Sequence, residues 1–144
     1  MAADVAWRGI GGLDMCHLTA DTIASLPSDP RAPRQARALF DQNACAAHNP
    51  FAVDEARLLV SELVANAVTY GAPPVILHIR CIDGVGLRVG VSDSDPRVPA
   101  PLVTGSEAES GRGLRLVELL SDAWGVDAHD GGKQVWFRLN VPSA

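Results

Sequence analysis

Residues 75–91, VILHIRCIDGVGLRVGV, hold the pattern that decides the fold class. Apolar side chains recur at every second position over residues 75–81 and again over residues 85–91, which is the period of a half-buried β-strand. Asp83-Gly84 lies between the two segments, and this dipeptide is typical of a tight β-hairpin. The sequence therefore predicts two adjacent antiparallel strands here.

Helical patterns stand on both sides of this hairpin. Residues 31–47 carry apolar side chains at helical spacing, and residues 54–70 carry a longer apolar stripe. Asp54 is placed to cap this second helix, and Gly71 is placed to end it. A third, shorter helix is predicted over about residues 112–121.

Two more strands are predicted near the end of the chain. One lies near residues 124–127 and the other over residues 135–141, with a turn at Asp130-Gly131-Gly132 between them. Hairpin-linked strands with the helices gathered elsewhere in the chain indicate an α+β fold, a two-layer α/β sandwich. The phosphate-binding motifs of P-loop and dinucleotide-binding domains are missing from the sequence.

Length and composition agree with one globular domain. The chain has 144 residues, of which 47% are hydrophobic and 20% charged. Residues 1–30 are poorly predicted: they show a short candidate strand near residues 15–18 and are able to contribute one strand to the domain, which is assigned to residues 31–144.

Charge and hydropathy exclude two classes of protein. The net charge of −5 argues against a protein held on nucleic acid by phosphate contacts. No stretch contains the ~18 apolar residues that a membrane span needs. The N-terminus shows no secretory signal, and the three cysteines form no metal or disulfide pattern, so a cytoplasmic protein is expected.

The first candidate site is a polar pair on the second helix. Glu62 and Asn66 are four residues apart and share a helix face inside the otherwise apolar run SELVANAV. Carboxylate and carboxamide oxygens suit Mg²⁺, and a carboxylate near a phosphate chain can orient or deprotonate a hydroxyl group. The alternative is an ordinary exposed pair, because this spacing is common in helices.

The second candidate is Asp93, which ends the predicted strand in the stretch VSDSDP, residues 91–96. A carboxylate at that place can accept a hydrogen bond from an exocyclic amine such as that of a purine. The alternative is turn chemistry, since Asp and Ser before proline often begin turns. The loop of residues 94–110 that follows is long, proline-rich and without periodicity, which is typical of a functional or mobile segment.

The third candidate is the stretch ESGRGL, residues 109–114. Its two glycines at the start of a helix let backbone N–H groups approach an anion, and Arg112 adds a positive charge. The alternative is a flexible lead-in with Ser110 as the helix cap.

Taken together, the motifs resemble the nucleotide site of the GHKL ATPase superfamily, which has the Bergerat fold. The resemblance is greatest to the small single-domain branch of anti-sigma-factor serine kinases, in particular the short ATP-binding regulators of actinomycetes. It spans about residues 34–139 and is carried by four stretches: LLVSELVANAV (58–68), VGVSDSDPR (89–97), ESGRGLRLVELLSDAWGV (109–126) and GKQVWFRL (132–139).

The resemblance implies a mixed, mostly antiparallel sheet covered on one face by helices, with Mg²⁺ and ATP bound between the helices and a lid over residues 94–110. Glu62 matches the family's general base, and Asn66 matches the asparagine that holds Mg²⁺ against the phosphates. Asp93 matches the aspartate that reads the adenine amino group. The glycine box that cradles the phosphates corresponds to Gly111, Arg112, Gly113 and Leu114.

Three positions depart from the family pattern. Asp95 stands where glycine is frequent and adds a negative charge near the expected phosphates. Gln134 stands where threonine is frequent, which would weaken a contact near adenine. Tyr70 stands where relatives commonly carry histidine.

Two functions follow from the resemblance. The first is a Mg-ATP-dependent serine/threonine protein kinase that phosphorylates a protein antagonist and sequesters a sigma factor. The alternative is an ATP-binding or degenerate interaction module without phosphoryl transfer, which the departures at Asp95 and Gln134 favour. A homodimer is compatible with the family, and an unrelated α+β domain with accidental motifs is the remaining reading.

Overall fold

The structure is a computed structural model that describes residues 22–43, 50–82, 86–97 and 109–140. Within these ranges the chain forms five strands and three helices. In chain order they are β1 (Thr22–Leu26), α1 (Ala32–Asn43), α2 (Pro50–Tyr70), β2 (Val75–Ile82), β3 (Gly86–Asp93), α3 (Glu109–Leu120), β4 (Ala123–His129) and β5 (Gly132–Asn140).

The strands form one sheet in the order β1-β2-β3-β5-β4. All four pairings between the described strands are antiparallel. The helices cover one face of this sheet, so the predicted α+β sandwich is confirmed. The Asp83-Gly84 turn lies outside the described residues, but the strands that it joins pair from Ile82 opposite Gly86 onward, as a hairpin requires.

The core lies between the sheet and the helices. Alternate residues of β2, β3 and β5 point to it, and α2 supplies most of the opposing surface. The side chains with less than 2% of their surface exposed include Leu59, Val60, Val64, Leu77, Ile79, Val89 and Phe137. The other face of the sheet, here called the outer face, carries Arg88 stacked at 4.8 Å over the Trp136 ring.

The helices lie side by side in the order α1, α2, α3 across the sheet. α1 packs on β1 and β2, α2 packs on β2, β3 and β5, and α3 packs on β4. α2 contacts both other helices, so it occupies the middle of the layer.

Several predicted boundaries are wrong. α2 begins at Pro50, so Asp54 lies inside the helix and does not cap it. α3 begins at Glu109, three residues before its predicted start. β1 was not predicted, and the predicted strand near residues 15–18 lies outside the described residues. The assignment of the domain to residues 31–144 stays a prediction.

Two turns agree with their sequence signals. Gly71 follows the last residue of α2, and its N–H group donates to the Ala67 carbonyl at 2.9 Å. In the β4–β5 hairpin, Gly131 adopts a φ of 82°, which only glycine accepts without strain. None of the described helices is long and apolar enough to cross a membrane.

Candidate functional site

Asp93 is a buried acid at the end of β3, with 5% of its surface exposed. Lys133 lies directly opposite on β5, and its Nζ is 3.1 Å from both Oδ1 and Oδ2 of Asp93. Oδ1 also accepts the backbone N–H of Asp95 at 2.8 Å and that of Ala72 at 3.4 Å. These contacts compensate the buried charge and fix the orientation of the carboxylate.

Two glycines leave room for Asp93. A Cβ at Gly71 would lie 2.5 Å from Asp93 Cγ and 2.6 Å from Oδ2. A Cβ at Gly132 would lie 2.4 Å from the Asp93 carbonyl oxygen. Glycine is needed at Gly71 because the Asp93 side chain approaches it too closely for a Cβ, and at Gly132 because the Asp93 backbone does.

Asp95, whose charge was expected to lie near the phosphates, is neutralised within its own loop. Arg97 contacts it through Nε, at 3.0 Å from both carboxylate oxygens, and through Nη2, at 2.5 Å from Oδ2. The hydrogen bonds and charge of Arg97 hold the pKa of the Asp95 carboxyl well below its usual range. The added negative charge therefore has a dedicated partner.

Glu62 and Asn66 are half-buried on α2. The Asn66 Nδ2 atom is buried without a hydrogen-bond partner among the described residues. Glu62 has no hydrogen bond or ion pair to any residue of the described ranges. An ordinary solvated pair would be exposed, so these half-buried side chains do not fit the alternative of an exposed helix pair.

The pair lies on the flank of α2 that faces α3. The opposite flank belongs to α1: Arg37 donates to Ser61 Oγ at 2.9 Å, and Arg57 forms an ion pair with Asp41. At 100° per residue, Glu62 and Asn66 lie across the buried stripe from Ser61 and Arg57. Because α2 has α1 on one side and α3 on the other, the polar pair faces α3.

The site extends along the second half of α2. Asp93 lies beside Gly71, just after the end of the helix. Asn66 is about 7.5 Å and Glu62 about 13.5 Å before Gly71 along the axis, at 1.5 Å per residue. A ligand that spans the three side chains must therefore be elongated.

The glycine box opens α3. Gly111, Arg112 and Gly113 lie in the first two turns of the helix, which begins at Glu109. The first four N–H groups of a helix have no partner within it and favour an anion. The Leu114 side chain is buried in the core, so this residue can reach a ligand only through its backbone.

Gln134 lies away from this site. Its side chain is on the outer face, where it covers Gly90 and accepts from Arg88 Nη2 at 3.3 Å. Because neighbouring residues of a strand point to opposite faces, Gln134 and Asp93 are separated by the sheet. The expectation that Gln134 weakens a contact near adenine is therefore wrong.

Sequence reasoning gave no role to Lys133 or Arg97. A signal for Lys133 was present, because alternation places it on the same strand face as the apolar residues Val135, Phe137 and Leu139. A lysine on the buried face of a strand requires a charged partner. Arg97, two residues after Asp95, offered a similar but weaker signal.

Residues 26–139 match the histidine kinase-like ATPase domain family. An uncharacterized protein of Streptomyces coelicolor is 42% identical over 57 residues, which are 38% of this chain and 53% of that protein. The chain thus spans about half the length of this curated relative.

Two solved structures share the fold. The RsbU and RsbW domains of Rv1364c from Mycobacterium tuberculosis align with a TM-score of 0.65 at 18% identity, over 87% of this chain and 33% of that one. Full-length ShkA in complex with AMPPNP aligns with a TM-score of 0.52 at 22% identity, over 85% of this chain and 32% of that one.

Proposed function

This chain belongs to the histidine kinase-like ATPase domain family, and we propose that it binds Mg-ATP along α2 and transfers phosphate to a serine or threonine of a protein antagonist. The family assignment itself supports an ATP-binding regulatory function. The finer activity is that of an anti-sigma-factor-type kinase in a partner-switching pathway. The fold shared with a structure that contains an RsbW domain agrees with this proposal.

One observation carries the proposal: the half-buried Glu62 and Asn66 have no protein partner within the described residues. A buried amide without a hydrogen bond costs about 1–3 kcal/mol, so a folded protein keeps one where a ligand completes it. Asp93 lies at the end of α2, beside Gly71, and the pair lies on the flank of α2 that faces α3. This arrangement supports a nucleotide with adenine at Asp93 and phosphates near the start of α3.

The same residues fit a magnesium ion. No group of three His, Cys, Asp or Glu side chains that could hold a metal occurs in the described ranges. Mg²⁺ takes few protein ligands and completes its shell with phosphates and water, so Asn66 Oδ1 is sufficient as the protein's donor. When bound, the ion would neutralise charge on the phosphate oxygens.

Each site residue then has a separate task. Asp93 would accept a hydrogen bond from the adenine amino group, and the N–H groups around Gly111–Gly113 would hold the phosphates. Glu62 would take the proton of the substrate hydroxyl while that oxygen bonds to the γ-phosphorus and the bond to the bridging oxygen of ADP breaks. The products are ADP and a phosphorylated protein.

The partners proposed are a protein antagonist and a sigma factor, in the cytoplasm. A homodimer, proposed from the family, would be checked by sedimentation of the full chain.

Calorimetry with ATP and Mg²⁺, followed by transfer of labelled γ-phosphate to a cognate antagonist domain, tests the function. We expect Glu62→Gln to abolish transfer and to leave ATP affinity within about threefold of wild type, because the general base does not contact the base or ribose. Glu118→Gln, an exposed acid on α3, is the matched control and should change neither.

Three outcomes separate the alternatives. Binding without transfer by the wild-type chain supports an interaction module instead of a kinase. Absence of ATP binding contradicts the nucleotide site altogether. Unchanged transfer in Glu62→Gln contradicts the role of Glu62.

A further inference from the structure

Lys133 is a buried cation on the core side of β5, with 5% of its surface exposed. Its ammonium group contacts three oxygens: Oδ1 and Oδ2 of Asp93 at 3.1 Å each and the carbonyl oxygen of Asp95 at 2.8 Å. The contacts with Asp93 Oδ1 and the Asp95 carbonyl are hydrogen bonds, and the contact with Oδ2 is an ion pair. The cation is thus committed to the acid that is proposed to read the nucleobase.

We infer that Lys133 is a positioning residue that makes Asp93 selective for a 6-amino purine over a 6-oxo purine. This inference rests on the proposed nucleotide site and adds a specificity-determining residue to it. It assigns to Lys133 no contact with the ligand, because the ammonium group acts through the carboxylate.

The contacts determine which oxygen of Asp93 is available. Oδ1 accepts from Lys133, from the Asp95 N–H and from the Ala72 N–H, whereas Lys133 is the partner of Oδ2 within the described residues. Each carboxylate oxygen has about two lone-pair sites. Oδ2 therefore keeps an accepting site, and it lies against Gly71, where a Cβ would come within 2.6 Å of it.

A carboxylate paired with an ammonium group accepts hydrogen bonds and has none to donate. It matches the amino group of adenine, which donates, and opposes the oxo group of hypoxanthine or guanine, which accepts. A buried polar group left without its partner costs about 1–3 kcal/mol, or five- to 150-fold in binding. Without Lys133, the contact that holds the carboxylate in this orientation is lost, and with it the match to the amino group.

The experiment measures dissociation constants for ATP and for inosine triphosphate, in which an oxo group replaces the amino group. Wild type, Lys133→Met, Lys133→Gln and Lys133→Arg are compared after circular dichroism has shown which of them fold. We expect wild type to prefer ATP, and both neutral variants to lose at least about tenfold of that preference. Lys133→Arg keeps the charge and should keep the preference within about threefold.

The ratio of the two affinities separates positioning from mere support of the fold. Equal weakening of both nucleotides in a folded neutral variant overturns the inference, and so does tighter ATP binding, which would mean that Lys133 occupies the place of the amine. If neither neutral variant folds, the test rests on a folded Lys133→Arg. A tenfold loss of the ATP preference in that variant overturns the inference, and an unchanged preference supports it. Wild-type protein that binds neither nucleotide contradicts the proposed function instead.

Discussion

Arg97, two residues after Asp95, donates hydrogen bonds to both oxygens of the Asp95 carboxylate. The Asp95 side chain is only 12% exposed, whereas that of Arg97 is 83% exposed. The Asp95 N–H group donates to Asp93, and the Asp95 carbonyl oxygen accepts from Lys133. The Asp95 side chain forms its ion pair with Arg97. An acidic residue at this position is thus compatible with a nearby polyanion as long as the arginine is present.

Removal of Arg97 should weaken nucleotide binding. In Arg97→Ala the charge of Asp95 has lost its partner beside the site, and we expect ATP affinity to fall about two- to fivefold, with a larger effect at low salt. Calorimetry at two ionic strengths measures both effects. Arg34→Ala, which removes an exposed arginine from α1, is the control and should leave the affinity unchanged.

The same ion pair predicts a pH dependence of stability. Arg97 lowers the pKa of Asp95 from its ordinary value of 3.8, so the pair stabilises the folded state above that value and ceases to do so as the pH falls through the lower, folded-state pKa. The difference in melting temperature between wild type and Arg97→Ala should therefore be constant from pH 7 to about pH 5 and should shrink below about pH 4. A difference that grows on acidification would contradict this.

The sheet could be predicted from the sequence because its signals are local. Alternation over residues 75–81, 85–91 and 135–141 identified β2, β3 and β5. β1 was not predicted because it has only five residues and pairs with a strand some fifty positions later. A pattern read over neighbouring residues cannot reveal such a pairing.

The ends of the helices were less predictable. Asp54 has the side chain of a cap but lies inside α2, which starts at Pro50. Gly111 and Gly113 disfavour helix by their own propensities, yet both belong to α3, because packing on α2 and β4 outweighs a cost of about 1 kcal/mol for each glycine.

The candidate site was predicted as residue types but not as a set of contacts. Asp93, Glu62 and Asn66 could be named because acids and amides in apolar runs are unusual. The pairing of Asp93 with Lys133 could not, because it depends on the register of two strands that are 40 residues apart.

Gly71→Ala should damage the fold and the site together. The new Cβ would meet Asp93 Cγ at 2.5 Å and the Ala67 carbonyl at 2.7 Å, so the acid must move. We expect a loss of about 1–3 kcal/mol in the free energy of unfolding, from overpacking, and at least tenfold weaker ATP binding. Denaturant titration and calorimetry measure the two quantities.

The control for this variant is Gly125→Ala, whose Cβ would meet the Trp136 ring at 3.0 Å on the outer face. It should leave ATP affinity unchanged, because the sheet lies between it and Asp93. Equal effects of the two variants on affinity would show that Gly71 acts through general stability alone.

Asn66→Ala should separate stability from function. The Nδ2 atom has no partner in the described part of the chain, so its removal abolishes an unsatisfied buried donor and should change the free energy of unfolding by less than about 1 kcal/mol, or increase it. The Mg²⁺-dependent part of ATP binding should be lost, because the proposed protein donor to the ion is gone.

Asn43→Ala is the control for this variant. Asn43 Nδ2 donates to the Leu39 carbonyl at 2.8 Å, so Asn43→Ala should lower the free energy of unfolding by about 0.5–1.5 kcal/mol and bind Mg-ATP normally. A strongly destabilised Asn66→Ala would mean that the carboxamide belongs to the packing of α2 and not to a ligand site.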